Sequence, residues 1–299
     1  MVIPLDQRPR SGPYSGMSAR SAQRFLAQAF LEAKIPFAEE DALEIILAAT
    51  ALDKTGLMLR GQEVLEPDVF DLIFAHMDRR LAGEPVDHIL GWREFYGRRF
   101  FVSKDVLSPR ADTENLIRGA LRRAEKNEGL EILDMGTGSG AIGLTVLAEC
   151  ETAALTATDV SSAALKVAKK NAAVLNLQDR VEFRKGNWWA AVPDGRVFDI
   201  ILSNPPYITD AAMDALEREV LNYDPDLALR GGVDGLRAYH EIISGAPEYL
   251  KSDGWLGLEI GFDQGESVRS LLRNRNWKHL TLDVDLGGQD RVVWAQKRG

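Results

Sequence analysis

The stretch Phe198-Asp199-Ile200-Ile201-Leu202-Ser203-Asn204-Pro205-Pro206-Tyr207 decides how this chain folds. Its first half is a short apolar run, bounded by Asp194-Gly195 upstream and two prolines downstream, and reads as a buried strand of a parallel sheet. Proline has no N–H to give a neighbouring strand, so the chain must leave the sheet at Pro205. Open α/β sheets bind ligands just beyond the carboxyl ends of their strands, where Asn204 to Tyr207 fall. Asn204 brings an amide that both donates and accepts. Each proline holds the residue before it extended, which fixes Asn204 and Pro205 and leaves a rigid, acceptor-rich ledge of carbonyls. Tyr207 adds a flat face for stacking. Together they suit gripping a planar –NH2 group. The plain alternative is a strand-end Pro-Pro turn with a packed tyrosine, so the weight of the reading comes from the residues before it.

Upstream and downstream of this stretch, strands and helices alternate. Ile132-Leu133-Asp134 is a strand followed by a glycine loop and a helix to about Glu149. Leu155 to Thr158 is a strand, Ser161 to about Leu175 a helix, and Val181 to Arg184 a third strand. Leu236 to Leu250 is a helix, Trp255 to Ile260 a strand and Gln264 to Arg273 a helix. His279 to Val284 and Arg291 to Ala295 form a last pair of strands. That order spells a doubly wound α/β domain.

Three further places along the sheet carry chemistry. The first is Asp134-Met135-Gly136-Thr137-Gly138-Ser139-Gly140-Ala141-Ile142-Gly143. Its glycines let the strand-to-helix turn pass close to a ligand, with helix N–H groups aimed at it. Gly138, Gly140 and Gly143 also spell G-x-G-x-x-G, which by itself permits a dinucleotide. The second is Asp159, at the end of the next strand, where an acid hydrogen-bonds a ribose diol or simply caps the following helix. The third is Asn187-Trp188-Trp189, able to hydrogen-bond and sandwich an adenine, although either ring taken singly could be core.

The rest of the chain reads as scaffold. Residues 1–17 hold prolines, glycines and serines without apolar periodicity, a disordered leader with no signal-peptide core. Residues 18–82 are helical: Phe25, Leu26, Ala29 and Phe30 share one face, Leu43, Ile46, Leu47 and Thr50 another, and Val69, Ile73, Met77 and Leu81 a third. Residues 83–107 turn aromatic and glycine-punctuated, a β-hairpin linker to the domain at 108–299. A net charge of −9 speaks against a protein that coats nucleic acid. No apolar run reaches membrane-span length. Cys150 is the only cysteine and the four histidines lack ligand spacing, so no disulfide or metal is expected, and a reducing cytoplasm fits.

Glycine loop, ribose acid, adenine pocket and Asn-Pro-Pro-Tyr, in that order, resemble the S-adenosylmethionine-dependent methyltransferases that act on planar amino groups. The likeness narrows with Gly83-Glu84-Pro85, Leu90 to Gly97, Val106 to Arg110, Thr113-Glu114, Phe198 to Ile208, Gly231 to Leu236 and Glu259-Ile260-Gly261. These resemble the HemK/PrmC family, protein-(glutamine-N5) methyltransferases that modify peptide-chain release factors. The resemblance implies a helical N-terminal domain, a hairpin linker and a seven-stranded, Rossmann-like methyltransferase domain whose last strand runs antiparallel. It implies S-adenosylmethionine held by Gly136, Thr137, Gly138, Ser139, Gly140, Asp159, Asn187, Trp188 and Asn204. It implies catalysis by Asn204, Pro205, Pro206 and Tyr207, a release factor as protein partner, no stable nucleic-acid binding and a monomer. His88, Ser108, Asp112, Asn187 and Asp224 depart from the residues usual in the family at those places.

Rival readings remain at this level. A DNA adenine-N6 methyltransferase would want a base-recognition domain and a basic cleft. A guanine-N2 RNA methyltransferase and a ribosomal-protein glutamine methyltransferase share the chemistry. A nucleotide-binding regulatory module would keep the glycine loop and Asp159 but has no use for Asn204 to Tyr207. The chain also carries its own Gly287-Gly288-Gln289, read as the turn between the last two strands rather than as a substrate.

Overall fold

A computed structural model describes residues 16–124, 128–216, 218–273 and 277–299. The expected leader therefore falls almost wholly outside the described residues. The chain divides into two compact units at Gly91/Trp92.

The first unit is helical: α1 Ala19–Glu32, α2 Ala38–Thr50, α3 Lys54–Arg60, α4 Pro67–Leu81 and α5 Val86–Leu90. Ser18 caps α1 by accepting from the Ser21 N–H at 3.3 Å, Asp53 caps α3 through Gly56, and Pro67 opens α4 where a missing N–H costs nothing. Leu26, Phe30, Ile45, Ile46, Ile73 and Phe74 form its core. In α2 the buried stripe is Ala42, Ile45 and Ile46, one residue round from the expected Leu43–Leu47 line, which is only partly covered. In α4 the core takes Arg80 instead of Leu81, because Asp41 of α2 meets its guanidinium at 2.7 Å inside the unit.

The second unit opens with a hairpin, β1 Trp92–Phe95 and β2 Arg98–Phe101. Tyr96 and Gly97 both take positive φ, the mirror-image turn that matches strand twist. Phe95 and Phe100 are buried in the same core as the large sheet, so the hairpin is part of this unit and not a free linker. There follow α6 Glu114–Ala124, β3 Glu131–Met135, α7 Ala141–Glu149, β4 Ala154–Asp159, α8 Ser162–Val174, β5 Val181–Lys185 and β6 Phe198–Ser203. A region the sequence left blank holds β7 Ile208–Thr209, α9 Asp210–Met213, α10 Arg218–Tyr223, α11 Asp226–Leu229 and β8 Arg230–Gly232. The chain ends with α12 Arg237–Tyr249, β9 Leu250–Glu259, α13 Gly265–Arg273, β10 Trp277–Val284 and β11 Asp290–Lys297.

Seven strands pair in the order β10-β11-β9-β6-β3-β4-β5. The pairs from β9 through β6, β3 and β4 to β5 are parallel, whereas β11 runs antiparallel to both of its neighbours. The doubly wound sheet with an antiparallel last strand is thus as expected. Side chains alternate across it: Ile132, Ile200 and Leu202 join α6 and α7 on one face, while Leu133, Ile201 and Leu258 join α12 and α13 on the other. The chain order reverses at β3, whose neighbours β4 and β6 lead away on opposite sides, so a crevice opens above its carboxyl end. The turn between β10 and β11 is held by Asp285, whose carboxylate accepts from the N–H groups of Gly287 and Gln289, with Gly288 at φ +78°.

Trp294 of β11 is fully buried, and two glycines make room for its ring. A Cβ placed on Gly119 of α6 or Gly257 of β9 would lie 2.5 Å from ring carbons of Trp294. Gly→Ala inside an exposed helix stabilises by about 1 kcal/mol. Here the indole is wedged between helix and sheet and cannot retreat. Gly119→Ala is therefore expected to destabilise by about 1–3 kcal/mol in a chemical denaturation titration; a gain in stability would show that the ring has room to move.

Candidate active site

The loops after β3, β4, β5 and β6 enclose a cavity of about 440 Å³ at the carboxyl end of the sheet. Gly136, Thr137, Gly138, Ser139, Asp159, Asn187, Trp188, Asn204, Pro205 and Pro206 all line it. Four stretches far apart in sequence are thereby brought to one place.

The glycine loop owes its shape to a buried carboxylate. Asp134, next to last in β3, has no exposed surface. Its Oδ2 accepts from the Thr137 hydroxyl at 2.5 Å and from the Gly143 N–H of α7 at 3.0 Å. Burial pushes its pKa up to about 6 against those two hydrogen bonds. Gly136, Gly138 and Gly140 take positive φ between these anchors, and nothing occupies the space beside Gly138. Asp159 Oδ2 accepts from the Gly138 N–H at 2.9 Å, and Oδ1 from the Ser161 N–H at 2.8 Å. This carboxylate both shapes the loop and faces the cavity; burial raises its pKa.

Trp188 sits at φ +43°, an uncommon conformation for a bulky residue. It carries the indole to within 3.7 Å of where a Gly136 Cβ would stand, an ordinary packing distance, so it is the φ of +68° that calls for glycine at Gly136. Trp189 turns the other way. Its Nε1 donates to the Glu241 carbonyl at 2.9 Å and its ring stacks on Tyr249 at 4.7 Å. An adenine sandwich between the two tryptophans is therefore not what the structure builds; Trp188 alone faces the cavity.

Two expected site residues also lie outside the lining. Gly140 is the N-cap of α7 at φ +84°, where a Cβ would strike Leu144 at 2.7 Å, so its glycine serves the turn. Tyr207 is half-buried against the core, and its hydroxyl is pushed up to about 12, by burial first and by Glu259 second. Its carbonyl accepts from Gln264 Nε2 at 3.1 Å.

The Asn204–Tyr207 ledge is built from below by residues that the sequence reading quoted or passed over without a role. Ser203 Oγ donates to the Met135 carbonyl at 2.7 Å and ties β6 to β3 at their ends. A Cβ on Gly231 would lie 2.8 Å from the Tyr207 Cα, and one on Gly235 2.4 Å from the Tyr207 carbonyl. The glycines of Gly231 to Gly235 thus let one backbone lie directly on another, with β7 pairing β8. Asn204 Nδ2 donates to Thr113 Oγ1 at 3.5 Å, and the Asn204 and Thr113 side chains both face the buried Glu259 carboxyl. At the cavity rim Arg110 pairs with Asp224 at 2.7 Å.

A glycine loop open beside Gly138, a carboxylate at the end of the second strand, a single indole over the loop and an amide with proline carbonyls fit the ribose, adenine and methionine portions of S-adenosylmethionine. Fold and site together define an S-adenosylmethionine-dependent methyltransferase. Residues 116–232 match the Methyltransferase small domain and residues 21–91 the PrmC N-terminal domain. A release factor glutamine methyltransferase of Cereibacter sphaeroides is 43% identical over 280 residues, covering 94% of this chain and 99% of that one. One of Bradyrhizobium diazoefficiens is 41% identical over 294 residues, covering 96% and 97%. The chain belongs to the release factor glutamine methyltransferase family. Among solved structures, the hMettl16 catalytic domain in complex with a 3'UTR hairpin superposes with a TM-score of 0.57 at 17% identity, over 70% of this chain and 80% of that one, a likeness of fold.

Thr137→Val tests the electrostatics of the loop. It removes the hydroxyl from a buried carboxylate, a hydrogen bond to a charged group worth about 1.5–3 kcal/mol. Asp134 has a folded pKa raised above its unfolded value, so its ionisation already opposes folding as pH rises through about 6. Losing the hydroxyl raises that pKa further. The expected loss in denaturation titrations is therefore larger at pH 8 than at pH 5; equal losses would contradict this role for Thr137.

Proposed function

We propose that this chain transfers a methyl group from S-adenosylmethionine to the side-chain amide nitrogen of the glutamine in the Gly-Gly-Gln motif of peptide-chain release factors, acting in trans as a cytoplasmic monomer. The observation that carries the reading is the placing of Asn204 and the Pro205–Pro206 backbone on the wall of the cavity that Asp159 and the glycine loop also line.

When bound, S-adenosylmethionine supplies an electrophilic methyl on a positively charged sulfur. Gly136 to Ser139, Asp159, Asn187 and Trp188 would hold it, with Asp159 accepting from the ribose hydroxyls and Trp188 lying against the adenine. A glutamine amide is a poor nucleophile because its nitrogen lone pair is shared with the carbonyl. Asn204 Oδ1 and the Pro205 carbonyl would each accept one N–H of the target –NH2. The Pro205 carbonyl is fixed by the backbone and the Asn204 amide is held through its Nδ2 on Thr113, so the lone pair would be turned toward the methyl with little reorganisation at the moment of transfer. Transfer would give the nitrogen a bond to the methyl carbon in place of the carbon–sulfur bond, and the surplus proton of the nitrogen would leave to solvent afterwards. No carboxylate or histidine base is needed beforehand. The Gly287-Gly288-Gln289 turn, tied down by Asp285, supports a target on another molecule.

Incubation with a purified release factor and isotopically labelled cofactor, followed by peptide mass spectrometry, is expected to place one methyl on the factor's Gly-Gly-Gln glutamine. A methyl on Gln289 with the factor untouched, or on added RNA, would overturn the assignment. Asn204→Ala is expected to lower kcat by about 10²–10³-fold, the scale of losing one orienting group in an active site, with cofactor affinity largely kept. Asp159→Ala is expected to do the reverse, weakening cofactor binding most by calorimetry. A near-normal kcat in Asn204→Ala would remove that residue from the reaction.

A further inference from the structure

Beneath Asn204 lies a carboxyl group that the methyl transfer as described does not use. Glu259, the last residue of β9, is 3% exposed, and its Oε2 has no hydrogen-bond partner. A buried carboxyl with one oxygen unpaired is costly to keep, and an apolar residue would pack there at less expense to stability. Its neighbours explain what it does. Thr113 and Asn204 both present side chains to it, and Thr113 Oγ1 also receives Asn204 Nδ2.

We infer that Glu259 is a positioning residue for the reaction: its carboxylate, directly and through Thr113, holds the Asn204 amide with Nδ2 inward, leaving Oδ1 to face the target amide.

The argument is one of donor and acceptor counting. An ionised carboxylate can only accept. The Thr113 hydroxyl proton must then point at Glu259, which leaves a Thr113 lone pair for Asn204 Nδ2. The chain Asn204→Thr113→Glu259 therefore runs in one direction, and the two ends of the Asn204 amide are no longer interchangeable. A neutral carboxyl or a glutamine at this position carries its own donor. It can donate to Thr113 or to Asn204 Oδ1, which releases the amide to flip and turn Nδ2, a donor, toward a target whose –NH2 needs an acceptor. The same direction is built into the ledge, since Pro205 and Pro206 offer carbonyls and no N–H.

The groups around Glu259 come from several elements. Asp112 raises its pKa and Arg291 of β11 lowers it; the Tyr207 hydroxyl feels its charge, and the Tyr239 hydroxyl of α12 donates to its backbone carbonyl at 2.9 Å. Arg291 also pairs with Asp112 at 3.1 Å. The balance, dominated by burial, pushes Glu259 up to about 7. Orientation of Asn204 should then fail as pH drops through this value, giving kcat an acid limb near neutrality.

This inference rests on the proposed methylation of a release-factor glutamine, so the wild-type enzyme is measured alongside. Turnover, KM and cofactor affinity are followed from pH 5.5 to 9 for wild type, Glu259→Gln and Thr113→Val with a purified release factor. Absence of wild-type turnover at every pH would overturn the functional reading itself. Given wild-type turnover, Glu259→Gln is expected to lose on the order of 10–100-fold in kcat, the scale of a misaligned reacting group. Its KM and calorimetric cofactor affinity should stay within about twofold, and its acid limb should vanish. Because the raised pKa of Glu259 makes its ionisation oppose folding as pH rises through about 7, Glu259→Gln is also expected to gain stability on wild type above that pH. Thr113→Val removes a hydrogen bond that lowers that pKa, so its acid limb should move to higher pH. Wild-type kcat and pH profile in Glu259→Gln would overturn the inference, as would an unmoved limb in Thr113→Val. A merely structural role would lower stability without changing either profile.

Discussion

The site depends on one close approach of backbone to backbone. Gly231 and Gly235 lie against Pro206 and Tyr207 at distances that leave no space for a Cβ. Gln264 closes the arrangement from the side. Its Nε2 donates to the carbonyls of Tyr207 and Gly235, while its Oε1 accepts from the Gly261 N–H. Both ends of one buried amide are thus in use. A ledge held this way cannot sag toward an incoming substrate. Its rigidity comes from outside the tetrapeptide, from segments some 25 to 60 residues downstream.

What the sequence revealed and what it hid divide along physical lines. Strand periodicity, the glycine loop and the pair of prolines act over a few residues, so the sheet, the ledge and much of the cavity wall could be read directly. Contacts made at long range could not. The hydrophobic stripe of α2 is set by which neighbour covers it, and a reading of periodicity alone chose Leu43 and Leu47 over Ala42 and Ile45. Trp188 and Trp189 are chemically alike in sequence, and only the backbone at φ +43° sends one ring to the cavity and the other to Tyr249. Tyr207 looked like a stacking face because the motif is contiguous; in three dimensions it lies half-buried against the core. The short elements between Ile208 and Gly232 carry no periodic signal at all, being too brief for one.

Two carboxyl groups, Asp134 near the end of β3 and Glu259 at the end of β9, are buried, and burial raises both pKa values. They differ in what surrounds them. Asp134 has a hydroxyl and a helix N–H bound to one oxygen, a set that fixes a turn and keeps the loop in shape whatever is bound. Glu259 has only side chains, Thr113 and Asn204, each of which can rotate. One carboxylate is spent on backbone geometry and the other on the direction of a side-chain amide.

That difference reflects the chemistry demanded. A substrate amide and an asparagine amide are nearly symmetric objects: each carries a donor end and an acceptor end of similar size and shape. Shape alone cannot choose between the productive pairing and its flipped counterpart. Selection has to come from groups that can only accept or only donate. Prolines supply this on the backbone side, because they have carbonyls without N–H groups. A buried carboxylate supplies it on the side-chain side, because it has acceptors without a proton. The destabilisation of keeping Glu259 ionised out of water is thereby coupled to orienting Asn204. An uncharged substitute could satisfy the hydrogen bonds equally well and still leave their direction undetermined.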